Sequence, residues 1–185
     1  APRHHSQSQM SSPLESPTQT LATYARGLKR LDRARFLDRI SCPMMVESAY
    51  AAVAQGGAQA FRTAFVESGE AASRTLSPER RTVLSVQKRQ NAAFSGHIGV
   101  GRTPNLDICI ARTGISKFHA YFSDVQGTFH LTDKQSTNGT FVAGRRLVPG
   151  EAVPLADGVE IHFATHAFLF PSPARFFELV RSIGA

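Results

Sequence analysis

The sequence predicts a mainly β protein, a sandwich or barrel of short strands, with helix before it and a helix after it. Three observations carry this. From about Arg81 onward, β-prone runs are separated by Gly, Pro, Asn and Asp clusters at intervals of about ten residues. Ahead of them, apolar residues recur at three- and four-residue steps, the spacing of one helix face. Behind them, Ser172-Pro173 supplies a cap and a first helical position for a final apolar stripe.

Composition bounds what such a chain does. Its 185 residues leave room for one domain, or one domain with a substantial extension. Apolar residues make up 42% and charged residues 19%, enough to form a core and too apolar for disorder as the default. No apolar run approaches the roughly 20 residues needed to span a bilayer. No signal-peptide pattern is present either, so the expectation is a soluble, cytoplasmic protein with no membrane partner. The net charge of +7 raises nucleic acid as a partner. The excess is spread evenly, though, with no long basic block and no Trp for base stacking, and this weighs against it. Cys42 and Cys109 stand far apart, outside any CxxC pattern, and read as reduced thiols packed as small apolar side chains. No cofactor or metal is expected.

Residues 1–9 read as an expression tag, with Met10 as the native start, and residues 10–80 as an N-terminal helical extension. Within it, Ser16-Pro17-Thr18-Gln19 fits a capping box. Leu21, Tyr24, Leu28 and Leu31 follow on one face, and Phe36, Leu37 and Ile40 continue the helical pattern until Pro43. After Met44-Met45-Val46, an Ala-rich segment carries Phe61 and Phe65 at i, i+4. A short polar linker over 68–80 leads to the β region, 81–171. Strands are expected at 83–86, 97–100, 107–110, 118–122, 128–131, 140–142, 159–163 and 167–170. Residues 172–185 form the C-terminal helix, with Phe176, Phe177, Val180 and Ile183 as the stripe that docks on the rest.

Three loops of the β half carry an unusual polar set: Gly101-Arg102, Ser116-Lys117-Phe118-His119 and Ser136-Thr137-Asn138-Gly139-Thr140. Taken together, "IGVGR", "SKFHA", "LTDKQSTNGTFVAG" and "LADGVEIHF" resemble the forkhead-associated (FHA) domain family over residues 83–171, in the family's order and approximate spacing. The resemblance implies an eleven-stranded FHA-type β-sandwich whose loops at one end bind a phosphothreonine peptide without catalysis. It implies an adaptor in Ser/Thr-kinase signalling, with a kinase or a kinase substrate as the phosphorylated partner. The small build suggests a bacterial protein.

The residues make chemical sense of that task. A phosphate carries about −1.5 to −2 charges and three acceptor oxygens. Arg102 offers two parallel donors from a planar fork. Ser116 offers a hydroxyl and a backbone N–H, Lys117 a point charge, and Thr137 a further hydroxyl. By the resemblance, Asn138 pairs with the peptide backbone, while Gly101, His119 and Gly139 brace the loops. Arg112, Lys134 and Gln135 are the expected specificity residues, favouring an acidic side chain three positions after the phosphothreonine. Outside this pattern Arg102 would be read as a partner of Asp107, Ser116 as a hydroxyl bonding its own loop, and Lys117 as a solvated charge.

The chain departs from the family pattern at Lys134-Gln135 and at Ala143, where relatives often carry Asn. Asn138-Gly139-Thr140 also matches a glycosylation sequon, and His162 and His166 stand four apart. The first needs secretion and the second needs a helix, and neither is expected here. No P-loop, GxSxG or HExxH pattern occurs, so no enzyme is expected. The alternative reading is a phosphate-independent scaffold that uses the helical extension or a sandwich face.

Overall fold

The computed structural model describes residues 18–28, 30–48, 77, 80–90 and 92–183. Two sheets face each other. The larger runs in the order β1 (Thr18–Thr20), β3 (Thr82–Ser85), β2 (Met44–Glu47), β12 (His166–Phe170), β11 (Val159–Phe163), β8 (Thr140–Val142), β9 (Arg145–Arg146). The smaller runs β10 (Ala152–Pro154), β7 (Thr128–Asp133), β6 (Ala120–Val125), β4 (Ile98–Gly101), β5 (Ile108–Cys109). Pairing is antiparallel except between β4 and β5. Three helices complete the described fold: α1 (Leu21–Leu28), α2 (Arg33–Arg39) and α3 (Pro173–Ile183). Among the described residues no helix is long and apolar enough to cross a membrane.

The expected sandwich and C-terminal helix are present, and every expected strand of the β region has a counterpart. Residues 140–142 and 159–163 coincide with β8 and β11. Ser172 caps α3, its Oγ accepting from the Arg175 N–H at 3.3 Å. The helical reading of the N-terminal half needs correction at two places. Thr18 and Gln19, placed in the capping box, belong with Thr20 to strand β1, which pairs with β3. The cap is Thr20 itself, whose Oγ1 accepts from the Thr23 N–H at 3.3 Å. Met44–Glu47 is strand β2, in the interior of the larger sheet between β3 and β12. A boundary at 80/81 therefore runs through one sheet rather than between two units. Residues 1–9, read as a tag, Ser16 and Pro17, and the segment with Phe61 and Phe65 lie outside the described residues.

The reason for the β2 error is physical. An apolar run buried on both sides shows no period-2 alternation and cannot be told from a helix by pattern. Met45 and Leu84 point between the sheets, where they join Val100, Phe122, Leu131, Ile161, Phe163 and Phe168. Met44, Val46 and Val83 point the other way, under the three helices. There Leu21, Tyr24, Leu28, Phe36, Phe176, Phe177 and Val180 close a second core. The Phe176 ring stands edge-on to Tyr24 at 5.3 Å and lies 6.0 Å from Phe36. The apolar stripes of the N-terminal and C-terminal helices thus bury each other on the outside of the larger sheet. β10 went unread because it is short, largely exposed and ends on Pro154, a residue suited to a sheet edge.

Phe176 is fully buried at the junction of all three helices. Phe176→Ala is expected to lower the free energy of unfolding by about 3–5 kcal/mol, measured by urea denaturation. A loss below about 1 kcal/mol would mean that the helices do not share one core with the sheet.

Candidate functional site

The three polar loops meet at one end of the sandwich. Arg102 follows β4, residues 110–119 connect β5 to β6, and residues 134–139 connect β7 to β8. Between them lies an open cleft of about 660 Å³, lined by Arg102, Arg112, Ser116, Lys117, Thr137 and Asn138 together with Gly114 and neighbouring backbone. Of the expected site residues, Lys134 and Gln135 are exposed and outside this lining.

His119 ties the loops together. It is wholly buried, edge-on to Phe163. Its Nδ1 accepts the Ser116 N–H at 3.1 Å, so the remaining ring proton sits on Nε2 and is donated to the Gly139 carbonyl at 3.2 Å. Its backbone N–H donates to Val100 and its carbonyl accepts from Lys134. Burial pushes the imidazole below its ordinary range, and the Gly139 bond, which works in the opposite direction, does not offset this.

Asp133, at the end of β7, shapes the loop that carries Thr137 and Asn138. Its carboxylate is 2% exposed. It accepts the Ser136 N–H at 3.0 Å, the Ser136 hydroxyl at 2.6 Å and the Thr140 hydroxyl at 2.5 Å. Ser136 Oγ in turn accepts the Gly139 N–H at 3.0 Å. With Ser136 facing inward, Thr137 and Asn138 are left facing the cleft. The Thr137 N–H donates to Ser116 Oγ at 3.1 Å, and Asn138 Nδ2 donates to the Gly114 carbonyl at 2.8 Å. Asp133 directly precedes the Lys134-Gln135 departure, and the sequence reading assigned it no role. The available signal was an Asp followed three residues later by Ser and seven later by Thr, a local side-chain-to-backbone turn motif.

Two glycines are required. A Cβ at Gly101 would lie 2.3 Å from the Lys117 carbonyl oxygen, so only glycine lets the 116–118 backbone approach β4. There the Arg102 N–H donates to the Ser116 carbonyl at 2.9 Å. Gly139 has φ of 84°, and a Cβ there would meet the Arg146 guanidinium at 2.7 Å.

Charge is unevenly distributed around the cleft. Arg102 and Lys117 are exposed, and their charged groups have no partner among the described residues. Arg102 does not pair with Asp107. That carboxylate takes Lys88 at 2.8 Å and the backbone N–H groups of Arg89 and Gly99 at 2.8 Å each. Burial would raise its pKa, but these donors hold it below the usual carboxylate range. Arg112, in contrast, gives both ends of its fork to Glu47 of β2, Nη2 reaching Oε2 at 3.1 Å. Sequence reasoning missed Glu47 altogether, since it lies 65 positions upstream. His162 hydrogen-bonds Glu160 at 2.7 Å, and His166 hydrogen-bonds the Thr113 carbonyl at 3.0 Å.

Residues 98–164 match the family model described as FHA domain. No curated protein matches the chain. Among solved structures, the chain is similar to Mycobacterium tuberculosis EmbR in complex with a low affinity phosphopeptide: identity 30%, TM-score 0.39, covering 42% of this chain and 20% of that one. It is also similar to the FHA domain of an Arabidopsis thaliana hypothetical protein, at 31% identity and TM-score 0.39, over 41% of this chain and 66% of that one. A third is the yeast Dun1 FHA domain in complex with a doubly phosphorylated peptide derived from Rad53, at 22% identity and TM-score 0.45, over 72% and 76% of the two chains.

Two outcomes are expected from the loop geometry. Asp133→Ala strands several buried donors and should cost about 3 kcal/mol of stability by urea denaturation. Stability should also fall as the solution is acidified. The His119 pKa is lowered on folding, so its contribution is complete above about pH 6.5, the unfolded value, and is lost as pH falls through the folded value. His119→Gln should flatten the unfolding midpoint between about pH 7 and pH 5. An unchanged slope in the variant would show that another group titrates there.

Proposed function

We propose that the cleft at the end of the sandwich, in a chain whose residues 98–164 match the family model described as FHA domain, binds phosphothreonine in a partner peptide. The protein is then a recognition module that performs no chemistry. One observation carries this reading. Two cations without internal partners among the described residues, two hydroxyls and an amide converge on a single cleft whose walls are cross-braced by His119 and Asp133. Such an arrangement is unsuited to an apolar ligand and suited to a compact dianion with a peptide attached.

In this reading Arg102 takes two phosphate oxygens through its fork, and Lys117 adds a point charge. Ser116 and Thr137, already in contact through Oγ and the Thr137 N–H, face the remaining oxygen from two sides. Asn138 is held by the Gly114 carbonyl through Nδ2, leaving Oδ1 to accept a peptide N–H and set the ligand's position. The loops are fixed before the ligand arrives, so less ordering entropy opposes binding. An intracellular adaptor that couples a Ser/Thr kinase or its substrate to a further partner follows from this role. Among the described residues, the apolar faces of α1, α2 and α3 are buried against the sheet and offer no docking surface to the scaffold alternative.

Calorimetry with matched phosphothreonine and threonine peptides tests the reading. A phosphopeptide should bind, its unphosphorylated twin should not, and affinity should weaken as salt is raised. Arg102→Ala should reduce binding by roughly 30-fold or more and leave the melting temperature unchanged, since the side chain holds nothing else in place. Equal binding of the two peptides across a library would refute it.

A further inference from the structure

Arg102, Arg112 and Lys117 all line the cleft, yet among the described residues only Arg112 has an internal counter-charge. That counter-charge comes from outside the loops. Glu47 belongs to β2, in the interior of the larger sheet, and its side chain crosses to the loop that follows β5. The pair is closely held. Both carboxylate oxygens accept from the Arg112 fork, and Oε2 also accepts the Thr82 N–H at 3.0 Å. Arg112 Nη2 donates in addition to Thr82 Oγ1 at 3.2 Å. The side chains are only 12% exposed for Glu47 and 35% for Arg112. Burial would raise the Glu47 pKa, but the Arg112 and Thr82 hydrogen bonds outweigh it and hold the carboxyl below its usual range, ionised at neutral pH.

We infer that Glu47 is a positioning residue for ligand selection: it keeps Arg112 as an internal ion pair, so that the cleft reads phosphate and does not favour acidic residues beside it. This rests on the phosphothreonine reading above and reverses the acidic preference expected from Arg112. A peptide carboxylate on a mobile, solvated side chain gains little from an exposed pair. To reach Arg112 it must displace a two-point pair and strand a nearly buried Glu47 carboxylate without its counter-charge, which costs more. The internal partner wins. Phosphate is left to Arg102 and Lys117, which have nothing to give up.

Glu47→Gln tests this, because the amide keeps the shape and one acceptor for Arg112 while removing the negative charge. Phosphothreonine peptides carrying Asp or Ala at each flanking position are compared by calorimetry. The intact protein should bind the two within about two-fold at every position. Glu47→Gln should gain a preference of roughly three-fold or more for Asp at one position. The charge-neutral double variant Glu47→Gln/Arg112→Met should return to the flat profile, and it keeps the test decisive if the single variant does not fold. A merely structural pair would shift the melting temperature and affect all peptides equally. An acidic preference in the intact protein that the double variant loses would overturn the inference, as would an unchanged profile in Glu47→Gln. If the flanking profile is flat but Arg102→Ala binds the phosphopeptide as tightly as the intact protein, the phosphothreonine reading has failed and the inference falls with it. If phosphate dependence is normal and only the profile disagrees, the inference alone has failed.

Discussion

His119 commits every polar atom it has to a different part of the cleft. Its N–H goes to β4, its carbonyl to Lys134 of the third loop, Nδ1 to Ser116 and Nε2 to Gly139. Three connections that would otherwise move separately are joined through one residue whose ring is packed on Phe163 in the core. Because both ring nitrogens are used in the neutral tautomer, protonation would set a new N–H against the Ser116 N–H. The cleft therefore depends on keeping this imidazole dry and uncharged, and its burial under the sandwich does so.

With His119 in place, the other supports make sense as its consequences. The 116–118 backbone lies against β4 closely enough to exclude any Cβ at Gly101. The loop after β7 is turned from below by Asp133, which draws Ser136 and Thr140 inward. What is left for the cleft is Thr137 and Asn138. Charge follows the same division between support and display. Asp107 is given to Lys88 and two backbone donors and Glu47 to Arg112, so that of the three cations lining the cleft Arg102 and Lys117 have no counter-charge among the described residues. A cleft with two uncommitted cations and one committed one concentrates its attraction for an anion at one point.

Much of this was legible in the sequence because it is local. Short alternating runs between turn residues marked β4, β6, β7, β8, β11 and β12. Ser172-Pro173 marked α3, and the polar loop residues were recognisable as a set by their order and spacing. The misreadings share a cause. Thr18–Thr20 and Met44–Glu47 are strands only because distant strands pair with them. Nothing in three threonine-rich residues or a short apolar run declares a partner more than forty or sixty positions away. Asp133 was visible but read as a neighbour rather than a hub, since its acceptors become meaningful only when burial removes water as a competitor.

The sequence by itself determined the element types of the β half, the terminal helix and the identity of the residues offered at the loop tips. Periodicity, caps and turn chemistry act over a few residues and are written in order along the chain. Tertiary structure alone decided which of the cleft's cations are free. Arg112 looks as available as Arg102 in the sequence, and its neutralisation by Glu47 exists only because the fold brings the end of β2 against the β5–β6 connection. Residues 133–140 show both levels: the turn is local chemistry, but Ser136 and Thr140 face inward because the buried Asp133 carboxylate accepts their hydroxyls, and the Gly139 carbonyl is held by His119 of the β5–β6 connection.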